Sequence, residues 1–162
     1  DLVGDLVDLA RDEHSETSIE PVRLDDIVAE VVDRARRQRP GLQLVVDGDP
    51  CTVNAAPARL DRAISNLVDN AAKWSPADGV VRVTISAGTV AVTDQGPGIH
   101  PSDLPHIFDR FYRSATARSL PGSGLGLAIV KQVAETFGGT VDARSTLGQG
   151  STLSLRLPVT DS

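Results

Sequence analysis

The stretch that begins near Pro57 constrains the fold of this chain more than any other. Its apolar residues recur at three- and four-residue spacing, which predicts a helix that packs one side against a core; they are Leu60, Ile64, Leu67, Val68 and Ala71. Pro57 suits the first turn of a helix, where a backbone N–H has no partner. Asn66 and Asn70 are four residues apart and share another face. The fold must therefore bury one side of this helix and present two amides beside it.

The rest of the chain alternates between strand and helix patterns. A second helix is predicted from a cap at Asp25 or Asp26 to about Gln38, and a third from Gly124 to Phe137. Ala87-Gly88 predicts a hairpin between two of the strands. The strand-like segments are 19–24, 42–47, 52–54, 80–86, 89–93, 140–145 and 152–157. Together these elements predict an α+β, two-layer α/β sandwich, in which a mixed sheet of about five strands packs against three helices.

The first residues of the chain are expected to lie outside this domain. Apolar residues from Leu2 to Ala10 recur at helical spacing, which predicts the last turns of a helix whose start lies upstream. The polar run 13–18 reads as a linker. Residues 1–18 are therefore interpreted as the end of an upstream helix plus linker, and 19–160 as one domain. Because the chain starts within a pattern and lacks an initiator Met, we expect it to be part of a longer protein.

Charge and composition exclude several classes of protein. The 22 acidic residues outnumber the 16 Lys and Arg, and the net charge of -6 argues against general nucleic-acid binding. The single Cys51 rules out an intramolecular disulfide and fits a reducing compartment. No apolar run approaches the roughly 20 residues that cross a bilayer.

The stretch from Gln95 to Ser123 has little periodicity and is long for a loop inside a domain. Such loops are usually functional. Within it, Ile107–Arg113 (IFDRFYR) holds Phe108, Phe111 and Tyr112. These aromatics predict an apolar anchor for a lid, with Arg110 or Arg113 meeting a phosphate; a small apolar cluster under a loop is the alternative.

The amides of Asn66 and Asn70 suit a magnesium ion. Mg²⁺ takes oxygen ligands, usually few from protein and the rest from phosphates and water. Lys73, three residues beyond Asn70, lies near the same face and can reach a phosphate as a point charge. The alternative is that these three side chains merely cover a solvated helix face.

A carboxylate and two glycines follow a predicted strand in Asp94–Gly98 (DQGPG). A carboxylate only accepts hydrogen bonds, so Asp94 suits the exocyclic amine of adenine rather than the oxygen of guanine. Gly96 and Gly98 let a ring approach the backbone closely. Taken alone, the segment fits a simple turn after a strand better, because Asp-x-Gly-x-Gly is a common pattern.

The glycine cluster Gly122–Leu127 (GSGLGL) precedes an apolar helical run. Free N–H groups at the start of a helix form an anion site. The segment is not a Walker loop, because no Gly-Lys-Ser/Thr follows, and it lacks the order of a Rossmann fingerprint. The alternative is that these glycines only make the loop flexible.

In this order, these segments resemble the ATP-binding domain of bacterial sensor histidine kinases, within the GHKL superfamily. Asn66–Lys73 resembles the N box, Asp94–Gly98 the first glycine box, Ile107–Arg113 the phenylalanine box and Gly122–Leu127 the second glycine box. Gly148–Ser151 is similar to a third glycine element near the adenine. The resemblance covers Arg59 to Thr152 and implies a long ATP lid between the glycine boxes.

The resemblance also implies roles for individual residues. Asn70 would be the main Mg²⁺ ligand, Asn66 would support metal and phosphates, and Lys73 would contact phosphate, so these three form the expected catalytic set. Asp94 would accept a hydrogen bond from the exocyclic amine of adenine. The remaining residues expected to contact ATP are Trp74, Gly96, Gly98, Ile99, Arg113, Gly122, Ser123, Gly124, Leu125, Gly126, Leu127 and Ser151.

The resemblance distinguishes transfer from hydrolysis at Asn66. Gyrase- and chaperone-type ATPases have Glu at the equivalent place, where it activates water, and a neutral Asn lacks that basicity. Kinases of this family phosphorylate a His followed by Glu or Asp in an upstream dimerising hairpin. None of the three histidines here has that context: His14 precedes Ser15, His100 precedes Pro101 and His106 precedes Ile107.

These features predict a chain that binds ATP and Mg²⁺ but does not phosphorylate itself. Its expected partners are its own upstream dimerisation domain and a response regulator. The chain is expected to be a monomer, and the whole protein a homodimer whose cytoplasmic domain this is, attached to a membrane. Two alternatives remain open: an ATP-binding module without catalysis, and a serine kinase of the anti-sigma type on the same fold.

Overall fold

The computed structural model describes Val3, residues 18–109 and residues 126–160. Several predictions fall outside this part of the chain. They are the upstream helix apart from Val3, most of the 13–18 linker, His14, the second half of the phenylalanine box, and the site residues Arg113, Gly122, Ser123, Gly124 and Leu125. The split of the chain at residue 18 stays a prediction.

Three α-helices form one layer of the domain: α1 is Leu24–Gln38, α2 is Pro57–Trp74 and α3 is Gly126–Thr136. A single-turn 3₁₀ helix, Leu104–His106, lies in the long loop. Helix α2 begins at Pro57, as predicted. It packs against both of the other helices and against the sheet, so its position is fixed from three sides.

The predicted cap of α1 is wrong. The residue before the helix is Arg23, whose side chain makes no capping hydrogen bond, and Asp25 and Asp26 lie in the first turn. The backbone N–H of Leu24 instead donates to the carbonyl of Cys51 at 2.9 Å. The Cys51 backbone thus supplies the hydrogen-bond acceptor that a capping side chain usually supplies at the start of a helix. Both carboxylates lie favourably at the positive end of the helix dipole.

The second layer is a five-stranded sheet with the order β2-β4-β5-β7-β6. Only β2 and β4 run parallel; the other three pairs are antiparallel. A separate antiparallel ribbon joins β1 and β3. The strands are β1 Glu20–Arg23, β2 Gln43–Gly48, β3 Thr52–Ala55, β4 Val80–Ser86, β5 Thr89–Thr93, β6 Thr140–Ser145 and β7 Ser151–Arg156. The predicted α+β class, with three helices and a mixed five-stranded sheet, is confirmed.

The core lies between α2 and the inner face of the sheet. Alternate residues of β4, β5 and β7 are buried there, as the period of a strand requires; they are Val81, Val83, Ile85, Val90, Val92, Leu153 and Leu155. From α2, Leu60, Ile64 and Leu67 are all 0 % exposed. No helix in the described part of the chain is long and apolar enough to cross a membrane.

Replacing Leu67 by Ala should destabilise the domain by about 2–5 kcal/mol, because it leaves a cavity beneath α2. The matched control is Leu147→Ala, since Leu147 is 54 % exposed and its truncation should change stability by at most about 0.5 kcal/mol. Urea unfolding of both variants checks this. A loss for Leu67→Ala no larger than that of the control would contradict the packing described.

Candidate functional site

The side chain of Asn66 joins α2 to the start of α3. Its Nδ2 donates to the carbonyl oxygen of Gly126 at 3.1 Å. Because a carbonyl only accepts, this bond fixes which way the amide is turned and leaves Oδ1 on the other side. Asn66 therefore offers an oxygen, the atom that a hard cation prefers.

Asn70 and Lys73 follow on the same side of α2, and both are half-buried. The Asn70 side chain makes no hydrogen bond with any residue in the described ranges, so its amide remains available to a ligand. Those ranges also contain no cluster of three or more His, Cys, Asp or Glu suited to a metal. The two amides of Asn66 and Asn70 are neutral oxygen donors, and they fit a Mg²⁺ that takes most of its ligands from phosphate and water.

Asp94, directly after β5, is a buried carboxylate that is only 4 % exposed. Its Oδ1 accepts two backbone N–H groups, from Gly96 at 2.8 Å and from Ser151 at 3.2 Å. No residue that the structure describes donates a hydrogen bond to Oδ2. The two bonds to Oδ1 fix the carboxylate, so a single acceptor oxygen is left to meet a ligand.

Burial raises the pKa of Asp94 above its usual value, and the hydrogen bonds from Gly96 and Ser151 act in the opposite direction. Loss of water around the charged form outweighs these two bonds. A donor from a ligand would supply part of the missing solvation. A buried acid with a raised pKa is typical of functional sites.

Two glycines bring the backbone close to this carboxylate. A Cβ at Gly96 would lie 2.8 Å from the carbonyl oxygen of Trp74, so only glycine fits against the end of α2. Gly98 has φ +84°, and a Cβ there would lie 2.6 Å from the Thr146 carbonyl oxygen. Both requirements explain why this loop carries Gly-Pro-Gly.

Sequence reasoning missed Ser145, the last residue of β6. Its Oγ accepts the N–H of Ile99 at 2.6 Å and donates to the carbonyl of Gly150 at 3.0 Å. It also lies 3.0 Å from the Oγ of Ser151. The only available signal was the position of Ser145 just before the third glycine element, which does not identify its partners.

The predicted residues fall into two groups in the described part of the chain. Gly96 and Ser151 are bonded to Asp94, and half-buried Trp74 lies against Gly96. Ile99 joins this group through Ser145, and Gly98 lies against the Thr146 carbonyl. Around Asn66 lies Gly126, while half-buried Leu127 packs against the core. From the phenylalanine box, Ile107 and Phe108 also pack against the core; Asp109 is exposed, and residues 110–113 lie outside the described part of the chain.

Comparison with known proteins identifies the class to which this fold and site belong. Residues 55–161 match the family described as histidine kinase-, DNA gyrase B- and HSP90-like ATPase. The chain therefore belongs to this family. Within it, the chain is the ATP-binding catalytic domain of a bacterial two-component sensor histidine kinase.

Individual relatives agree with this assignment. The chain is 46 % identical over 154 residues to the signal transduction histidine-protein kinase/phosphatase MprB of Mycobacterium avium (strain 104). The match covers 92 % of this chain but only 30 % of that protein. The chain thus spans about a third of the length of this relative.

Solved structures show the same fold. A mycobacterial sensor histidine kinase MprB superimposes with a TM-score of 0.81 at 41 % identity, over 88 % of this chain and 100 % of that one. Full-length ShkA, in a crystal structure of its complex with AMPPNP, gives a TM-score of 0.83 at 30 % identity, over 99 % of this chain and 36 % of that one.

Replacing Asp94 by Asn should raise thermal stability at pH 7 and weaken ATP binding. Because the pKa of Asp94 is raised in the fold, the unliganded wild type loses stability as pH rises through that pKa, and a neutral amide removes this loss. The Asn oxygen would keep both backbone N–H bonds, so its NH₂ would face the adenine amine. We expect ATP affinity to fall roughly 10- to 100-fold.

Thermal unfolding between pH 4 and 8 and calorimetric titration with ATP measure the two effects. Asp78→Asn, at an exposed position after α2, is the control with the same change of charge. An Asp94→Asn variant that bound ATP as tightly as the wild type would rule out the role of Asp94.

Proposed function

We propose that this domain binds ATP with Mg²⁺ and donates the γ-phosphoryl group to a histidine of an upstream dimerisation domain that is absent from this chain. The observation that carries the proposal is the orientation of Asn66. A neutral amide occupies the place from which an ATPase of this family would activate water, and its nitrogen is engaged with Gly126.

Recognition of adenine is assigned to the end of the central strands. Asp94 would accept a hydrogen bond from the exocyclic amine through Oδ2, the oxygen not held by Gly96 and Ser151. The backbone at Gly96 and Gly98 would form the walls, together with Trp74 and Ile99. Guanine would place a carbonyl oxygen opposite the carboxylate, and the repulsion favours ATP over GTP.

The phosphates are assigned to the face of α2 and to the glycine loop that leads into α3. Asn70 and the Oδ1 of Asn66 would ligate Mg²⁺, and Lys73 would contact a phosphate. When bound, Mg²⁺ would neutralise part of the negative charge that develops on the phosphates during transfer. The predicted loop residues from Gly122 to Leu127 would supply N–H groups to the phosphates.

The chemistry is then positioning rather than proton transfer. The bond between the γ-phosphorus and the oxygen of the departing ADP breaks, and a bond forms between that phosphorus and an imidazole nitrogen. The step requires no general base on the α2 face, because a nitrogen of the imidazole is itself the nucleophile. Water would react slowly in this site, since Asn66 has no basic atom to activate it.

The wider setting of the domain is also a proposal. The relatives of this chain are named histidine kinases, and MprB is named a kinase/phosphatase. By analogy, the whole protein would be a membrane-attached homodimer, with this domain in the cytoplasm and a response regulator as its partner. The chain itself would be a monomer.

The separation of nucleotide from acceptor gives a direct test. The purified chain should bind ATP, hydrolyse it slowly and form no phosphohistidine. The same protein extended upstream through its dimerisation hairpin should form an acid-labile phosphohistidine with radiolabelled ATP and Mg²⁺. Rapid hydrolysis by the chain alone, or an extended protein that binds ATP but never becomes phosphorylated, would refute transfer to histidine.

The role of Asn70 can be tested in the same extended protein. Asn70→Ala should lower the rate of phosphorylation by about 100-fold or more, because loss of a metal ligand weakens charge neutralisation in the transition state. Asn54→Ala, at an exposed position of β3, is the control and should leave the rate unchanged. Equal rates for the two variants would remove Asn70 from the metal site.

A further inference from the structure

Ser145 uses the full hydrogen-bonding capacity of its hydroxyl. The single proton goes to the Gly150 carbonyl, and the oxygen accepts from the Ile99 N–H. Since that proton is engaged, the hydroxyl of Ser151 is the donor in the 3.0 Å contact between the two serines. One half-buried side chain thus joins the 97–99 loop to the β6–β7 turn.

One of the segments that Ser145 joins is bonded directly to Asp94. Ser151 donates its N–H to Asp94 Oδ1 at 3.2 Å and accepts the Asp94 N–H at 2.9 Å. On the other side, Gly148 donates its N–H to the carbonyl of Pro97 at 2.8 Å. The loop 97–99 is therefore attached to the β6–β7 turn at two points, one through backbone and one through the Ser145 hydroxyl.

We propose that Ser145 is a positioning residue for the nucleotide base. It does not touch the ligand; through its bonds to Ile99 and Gly150 it holds the 97–99 segment in place beside the strand end that carries Asp94. This inference rests on the proposed ATP site. No role was assigned to Ser145 from the sequence or by resemblance.

A second pair of hydroxyls nearby lets this role be separated from general stabilisation of the sheet. Thr93 and Thr152 flank Asp94 and Ser151, and their Oγ1 atoms lie 2.9 Å apart. Because successive residues of a strand face opposite sides of the sheet, this pair lies on the face away from Ser151. It links the same strands, and none of the hydrogen bonds found among the described residues connects these two hydroxyls to the 97–99 segment.

The test compares Ser145→Ala, Ser145→Thr and Thr152→Val in the 162-residue chain, well below its unfolding temperature. Calorimetry gives the dissociation constants of ATP and ADP, and hydrogen exchange reports the Ile99 amide without nucleotide. Ser145→Ala should weaken ATP and ADP equally, roughly three- to tenfold, because one hydrogen bond of the pocket wall is lost. Exchange at Ile99 should accelerate.

The other two variants should retain wild-type affinity within about twofold, since Ser145→Thr keeps the hydroxyl and Thr152→Val changes the opposite face. Unchanged binding by Ser145→Ala, an equal loss in Thr152→Val, or a loss confined to ATP would overturn the inference. If Ser145→Ala does not fold, Ser145→Cys, with only a weak acceptor, takes its place under the same criteria.

Nucleotide binding by the wild type distinguishes failure of the proposed function from failure of the role of Ser145. A wild-type chain that binds neither ATP nor ADP would refute the proposed function, and the inference with it. A wild type that binds both nucleotides, with an Ile99 amide that exchanges at the same rate in Ser145→Ala, would refute the inference alone.

Discussion

A buried carboxylate determines how the two central strands of this domain end. Asp94 and Ser151 continue the β5–β7 ladder through one backbone bond, from the Asp94 N–H to the Ser151 carbonyl. The reciprocal N–H, that of Ser151, donates to the Asp94 side chain. A burial of this kind is costly unless the charge is hydrogen-bonded. The backbone pairing of these strands therefore ends where the carboxylate takes up the Ser151 N–H as its own donor.

The contacts that shape the site join residues far apart in the chain. Asn66 and Gly126 are 60 residues apart, Asp94 and Ser151 are 57 apart, and Ile99 and Ser145 are 46 apart. Each contact links a side chain to a backbone group, so it sets a distance between two elements rather than between two rotatable side chains. The site therefore forms only when the helix layer and the sheet are already packed together.

This arrangement explains what the sequence allowed us to predict. Local period and turn chemistry predicted the strands Val80–Ser86 and Thr89–Thr93 and the start of α2 at Pro57, because those signals lie within the elements themselves. The chemistry of Asp94 was also visible, since an acid followed by glycines suits an amine. The strand order and its one parallel pair were not predicted, because they depend on contacts between distant segments.

The errors have the same origin. The cap of α1 was assigned to a local carboxylate, but the carbonyl of Cys51 comes from a segment 27 residues further along. Ser145 was overlooked for the same reason: a serine at the end of a strand has no pattern of its own, and its three partners come from the 97–99 loop and the β6–β7 turn. Resemblance between motifs identifies residues expected to contact the ligand. It does not identify residues such as Ser145, which form hydrogen bonds to the backbone around the proposed site.

The contact between Asn66 and Gly126 bears on how this family separates transfer from hydrolysis. A glutamate at position 66 would be ionised, and its oxygens would face the Gly126 carbonyl with no proton to donate. Two acceptors held together repel each other, so the start of α3 would have to move before a basic residue fitted there. In the proposed kinase, the neutral amide thus does two things at once. It provides no base that could activate water, and it links the start of α3 to α2, the helix that would carry the metal ligands.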